Sequence, residues 1–164
     1  MNKLKQLQDT IKHKNNVIEI GTQLSQKLMQ IGHEKLSLKL LERIYNHDNT
    51  KFSNREFYGL ADNVHDKRSL KNVNEDQIAK EEKMKFIKFH WFSNKHHPEY
   101  YSDVNDMKLL DILEMCCDWY ARSKEFDNDP IEFFNKKQGT RWNFNKEMQE
   151  TIIKHLRALK SLDK

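Results

Sequence analysis

The stretch Lys3–Gly32, KLKQLQDTIKHKNNVIEIGTQLSQKLMQIG, decides the fold. Leu4, Leu7, Ile11, Ile18, Leu24, Leu28 and Ile31 recur in it at steps that follow the turn of an α-helix, and no proline interrupts them. A helix from about Lys3 to Ile31, stopped by Gly32, is predicted. The same period continues downstream. Leu36, Leu38, Leu40, Leu41 and Ile44 supply the apolar face of a second helix over about Glu34–Tyr45. Ser53-Asn54-Arg55-Glu56 reads as a capping box that opens a short helix through Phe57, Leu60 and Ala61.

The polar run Asp62–Asn74 reads as a loop, and Asn74 can cap the helix that follows. That helix carries Ile78, Met84, Phe86, Ile87, Phe89, His90 and Trp91 before the pattern breaks at Lys95–Asp103, around Pro98. Helix resumes from about Asn105 to Lys124 through Leu109, Leu110, Ile112, Leu113, Met115 and Trp119. Asp129-Pro130-Ile131-Glu132 combines an N-cap with proline at the first helical position. A last helix is expected over about Asn145–Leu162.

Four glycines and two prolines in 164 residues leave few breakers. The prediction is all-α: one domain over residues 1–164, a bundle of about six to seven helices. The apolar fraction is 37% and the charged fraction 33%, so most helices should be two-faced. Lys plus Arg outnumber Asp plus Glu by 29 to 25. This mild, interspersed excess suits a small phosphorylated ligand and does not imply a nucleic-acid protein, so a nucleic-acid partner is not the expectation. Cys116 and Cys117 are neighbours whose helical side chains diverge, so reduced thiols and a cytoplasmic protein are expected. No run approaches the roughly 20 apolar residues of a membrane span, and the N-terminus lacks a secretory pattern.

The chemistry concentrates around Tyr45-Asn46-His47-Asp48-Asn49-Thr50-Lys51-Phe52. An imidazole beside a carboxylate at a helix end offers two metal ligands of different character. His13 lies upstream, and His90, His96, His97 and Asp118 follow. His13, His47, Asp48 and Asp118 make a nitrogen and oxygen shell suited to Mn, Fe, Co, Ni or Zn, with Mg also open. Asp48 has two oxygens and can bridge two ions. His90, His96 and His97 can hold a second ion or donate to phosphate oxygens. Lys51 and Arg122, with Lys124, can meet phosphate charge. Glu114 can orient a ligand imidazole from one turn before Asp118.

In order and type, His13, His47-Asp48, Lys51 and Asp118 resemble the HD-domain superfamily of metal-dependent phosphohydrolases. His90, His96 and His97 resemble the extra histidines of its two-metal members. A nearer likeness is to a little-described family of short bacterial and phage HD-like proteins. It is carried by His47-Asp48-Asn49-Thr50-Lys51-Phe52-Ser53 with Glu56-Phe57, by Asn94-Lys95-His96-His97-Pro98-Glu99-Tyr100, and by Glu114 to Lys124. The likeness spans roughly Lys12 to Phe133 and implies an all-α fold in the cytoplasm of a bacterium or phage-infected cell.

The remaining histidines have plainer readings. His33 fits the start of a helix, His65 a solvated loop and His155 an exposed helix face. His13 has the polar neighbours Lys12, Lys14 and Asn15, which also fit a solvated ring. Trp91, Trp119, Tyr120 and Phe133 fit a core. The function expected is a phosphohydrolase that uses a metal-activated water on a small phosphorylated compound, a nucleotide first of all. Asp48, Lys51 and Arg122 would carry the reaction. The alternatives are a non-catalytic HD-like module that captures a nucleotide or a protein partner, and a helical docking protein. A homo-oligomer stays open.

Overall fold

α1 (Asn2–Gln30) buries the outlined stripe only in its second half, at Leu24 and Leu28. In the computed structural model, which describes residues 2–62 and 73–162, Leu4, Ile11 and Ile31 are exposed and Ile18 is only half-buried. The buried apolar side chains are Val17, Ile20, Leu24 and Leu28, and the same stripe continues upstream through His13 and Thr10. These positions are separated by steps of three or four, as on one helix face. Gly32 ends the helix with φ +85°. His33 N–H donates to Leu28 O and Gly32 N–H to Met29 O, a Schellman closure that favours glycine at the left-handed position.

α2 (Glu34–Asn46) returns along α1 and buries Ser37, Leu40 and Ile44. Leu38 and Tyr45 face solvent. Gly21 permits the close approach of the two helices: a Cβ built there would lie 2.5 Å from Ile44 Cγ1. A 3-10 turn (Asn49–Phe52) leads into α3 (Asn54–Asp62), and α4 (Val73–Ser93) follows. The predicted loop falls mostly on residues 63–72 and, with His65, lies outside the described residues, as does the side chain of Asn74.

The segment before Pro98 is irregular, as expected, and Pro98 opens a 3-10 turn, Pro98–Tyr100. α5 (Leu109–Phe126) starts four residues later than the sequence indicates, because Val104–Asp106 forms its own 3-10 turn capped by Asp103. α5 is the central rod, with every residue from Asp111 to Ala121 buried, and it packs on α1, α2 and α7. Asp129 Oδ1 accepts from Ile131 N and Glu132 N to cap α6 (Pro130–Lys137). Asn145 Oδ1 accepts from Met148 N at the start of α7 (Lys146–Leu162).

Trp119 stacks on Trp142 at 5.1 Å and meets Phe133 edge-on, an aromatic cluster within the core. The described residues thus form seven α-helices without a strand; one isolated bridge joins Gln138 and Trp142. Among them no helix is long and apolar enough to cross a membrane.

Candidate metal centre

Adjacent helical side chains point about 100° apart, so His47 and Asp48 could not both face one point in a continued helix. α2 ends at Asn46, and Asp48 takes φ +57°, a left-handed conformation unusual for a residue with a Cβ. That reversal turns the Asp48 carboxylate back toward the His47 ring. His13 arrives from the core stripe of α1, Asp118 from α5, His90 from the last turn of α4, and His96 and His97 from the irregular segment after it. His13, His47, Asp48, His90, His96 and Asp118 are all buried, so the solvated reading of His13 does not hold.

The two oxygens of Asp48 divide the centre. Oδ2 faces His13 Nε2 at 3.8 Å and His47 Nε2 at 3.4 Å. Oδ1 faces His90 Nε2 at 3.1 Å and His96 Nε2 at 3.5 Å. Asp118 Oδ1 completes the first half, 2.9 Å from His13 Nε2 and 4.0 Å from His47 Nε2. His97 belongs to the second half, where the ligand atoms of Asp48, His90, His96 and His97 lie within 4.8 Å of one another. Ligand atoms about 2.1 Å from a shared ion stand roughly 3 to 4 Å apart, and these separations match that spacing.

Carboxylates hold the outer nitrogens. His13 Nδ1 is 3.0 Å from Glu125 Oε1, His47 Nδ1 3.1 Å from Glu114 Oε1, and His90 Nδ1 2.9 Å from Glu56 Oε2. His96 Nδ1 is 3.3 Å from the same Glu114 Oε1. An ionised carboxylate only accepts, so each of these Nδ1 atoms carries a proton, and in the neutral ring the Nε2 keeps its lone pair. The Nε2 atoms of His13, His47, His90, His96 and His97, with Asp48 Oδ1, are buried without a hydrogen bond. Buried lone pairs aimed at carboxylate oxygens repel unless a proton or a metal cation lies between them. This donor set of imidazole nitrogens and carboxylate oxygens fits a divalent transition ion.

The electrostatics agree. Burial alone would raise the Asp48 pKa, but His47, Lys51 and His90 outweigh it and hold it well below the usual range. Asp118 is likewise held low against burial by His13, His47 and His96. Burial and the adjacent His96 push His97 well down, which keeps its ring neutral and available as a ligand.

Over the centre lies a cleft of about 380 Å³ lined by Gln6, Asp9 and Thr10 of α1, Ile87, His90 and Trp91 of α4, Asp118 and Arg122 of α5, and Lys51 and His97. Lys51 Nζ donates to Asp48 Oδ2. Arg122 is partly exposed and pairs with Glu125 Oε2 at 2.8 Å. Lys124 faces a separate groove with Lys12 and Asn16, so it does not join Arg122 at the cleft. Trp91 lines the cleft and packs against the Arg141 guanidinium at 4.3 Å, whereas Trp119 and Tyr120 are core. His33 is exposed at the N-cap of α2; His155 is half-buried, its Nδ1 near Thr151 O, rather than fully exposed.

Two orienting acids escape a reading of the sequence. Glu56 does not reach back as a capping-box partner: Ser53 Oγ accepts from Glu56 N at 3.4 Å, while the Glu56 side chain is buried against His90. Glu125 lies two turns after Asp118 on the same face of α5, a spacing that marks it in retrospect. No curated protein and no solved structure matches the chain. A family profile does match, over residues 2–160, and by it the chain belongs to the family of unknown function DUF5662.

Proposed function

We propose that this protein is a metal-dependent phosphohydrolase of the HD type, acting on a small phosphorylated compound, with a nucleotide as the favoured substrate. The observation that carries the reading is the division of Asp48, one oxygen toward His13 and His47, the other toward His90 and His96. One ion of Mn, Fe, Co, Ni, Zn or Mg would be held by His13, His47, Asp48 and Asp118, and a second by Asp48 with His90, His96 and His97. Bound there, the ions supply a polarised water and a seat for phosphoryl oxygens.

The chain's own groups do the rest. Lys51 and Arg122 at the cleft bring positive charge to a phosphate and to the charge that develops on it. Burial of the ligand rings keeps bulk water from competing for the centre. Trp91 gives the cleft an apolar lining that would suit a base, and Gln6, Asp9 and Thr10 offer donors and acceptors there.

The test uses protein purified without chelator, assayed for metal content, then supplied with Mn, Co or Mg and a nucleotide panel. Phosphate release that disappears in Asp48→Ala is expected. Absence of release from every compound, or release unchanged in Asp48→Ala, overturns the reading. Stoichiometric binding with the nucleotide recovered intact would identify a capture module instead.

A further inference from the structure

The outer nitrogens of His13, His47, His90 and His96 each face a carboxylate, but the carboxylates are not equivalent. Glu125 serves His13 alone and Glu56 serves His90 alone. Glu114 serves both halves through one atom: Oε1 lies 3.1 Å from His47 Nδ1 and 3.3 Å from His96 Nδ1. The two rings sit 4.3 Å apart as a result. Oε2 of the same carboxylate is clamped by Arg43, whose Nε and Nη2 reach it at 2.7 and 2.6 Å. Arg43 Nη2 also donates to Asp111 Oδ1 at 2.8 Å, and the Tyr101 hydroxyl donates to Asp111 Oδ2 at 2.8 Å. Glu114 is buried, and both its oxygens are committed.

We propose that Glu114, anchored by Arg43, is the positioning residue that couples the two halves, so that the two ions bind as a linked pair. This rests on the two-ion reading above. A ligand imidazole must present its Nε2 lone pair in a fixed direction, and the acceptor on its Nδ1–H sets that direction. Because one oxygen directs both His47 and His96, ordering either ring by a bound ion settles the shared carboxylate for the other. Glu125 and Glu56 lack this property, since each touches one ligand ring only.

The experiment compares Glu114→Gln with Glu56→Gln and Glu125→Gln, each checked for helicity by circular dichroism. Mn binding is followed by calorimetric titration and by electron paramagnetic resonance, which separates isolated Mn from an exchange-coupled pair. Wild type should bind two Mn and show the pair signal. In Glu114→Gln the amide cannot accept from two imidazoles and from Arg43 with the same atoms. Affinity for both ions should drop about 10- to 100-fold and the pair signal should vanish. Glu125→Gln should weaken chiefly the ion on His13, and Glu56→Gln chiefly the ion on His90. If Glu114→Gln does not fold, Arg43→Lys keeps the carboxylate but loses the fork, and should weaken both ions together by a smaller factor. Two Mn in wild type with only one weakened by Glu114→Gln or Arg43→Lys overturns the coupling and leaves the two-ion reading standing. Fewer than two Mn in wild type overturns both.

Discussion

At the residue scale, His90 and the carboxylates pull the pH dependence in opposite directions. Burial works to lower the His90 pKa, but Asp48 and Glu56 prevail and raise it. A base with a raised folded value stabilises fully below its unfolded value of about 6.5, and that contribution is lost as pH climbs through the raised value. Asp48 and Asp118 have lowered values, so their contribution is present above roughly pH 4 and is lost as pH falls. The metal-free centre is therefore favoured in mild acid, between those limits. A bound ion needs neutral imidazoles and reverses the preference. The rise in Tm produced by saturating Mn should grow between about pH 6 and pH 8. Thermal unfolding with and without Mn across that range checks it; an increment that shrinks with rising pH would contradict the ligand role of these rings.

At the element scale, the fold was largely legible and the face of α1 only in part. The helical period, the glycine stop at Gly32 and the Asp129-Pro130 cap all appear where the residue types place them. Leu24 and Leu28 are buried as the period indicates, whereas Leu4, Ile11 and Ile31 mislead: the N-terminal half of α1 turns a partly polar stripe inward, with Thr10 and His13 in the positions that Val17, Ile20 and Leu24 fill further on. A polar residue on a core register is the mark of a built site, and extending the buried stripe upstream lands on His13. The clustering of His47, Asp48 and Asp118 was legible from residue type and order, whereas Glu56 and Glu125 were hidden because their partners come from other helices. The crossing of α1 with α2 is itself testable. A methyl group at Gly21 meets the stiff, fully buried Ile44 three residues before His47. Gly21→Ala should destabilise by about 1–3 kcal/mol, read as a drop of several degrees in Tm; an unchanged Tm would mean that α2 yields freely.

At the scale of the whole molecule, the centre ties distant parts of the chain together. Its candidate ligands run from His13 to Asp118 and come from α1, the end of α2, α4, the segment before Pro98 and α5. An ion bound to all of these stabilises the assembled bundle and not a loosened one. At a hundredfold excess over Kd it adds about 2.7 kcal/mol. Cys116 and Cys117 sit on α5 between Glu114 and Asp118, wholly shielded, with burial pushing both thiols upward. They are a natural clock for opening of the central rod, because a thiol reagent reaches them only when α5 leaves its neighbours. With Mn at that excess, modification of the pair should slow about 100-fold relative to protein stripped by chelator, if labelling proceeds through global opening. Identical rates would show that the rod can be uncovered without breaking the ion's grip.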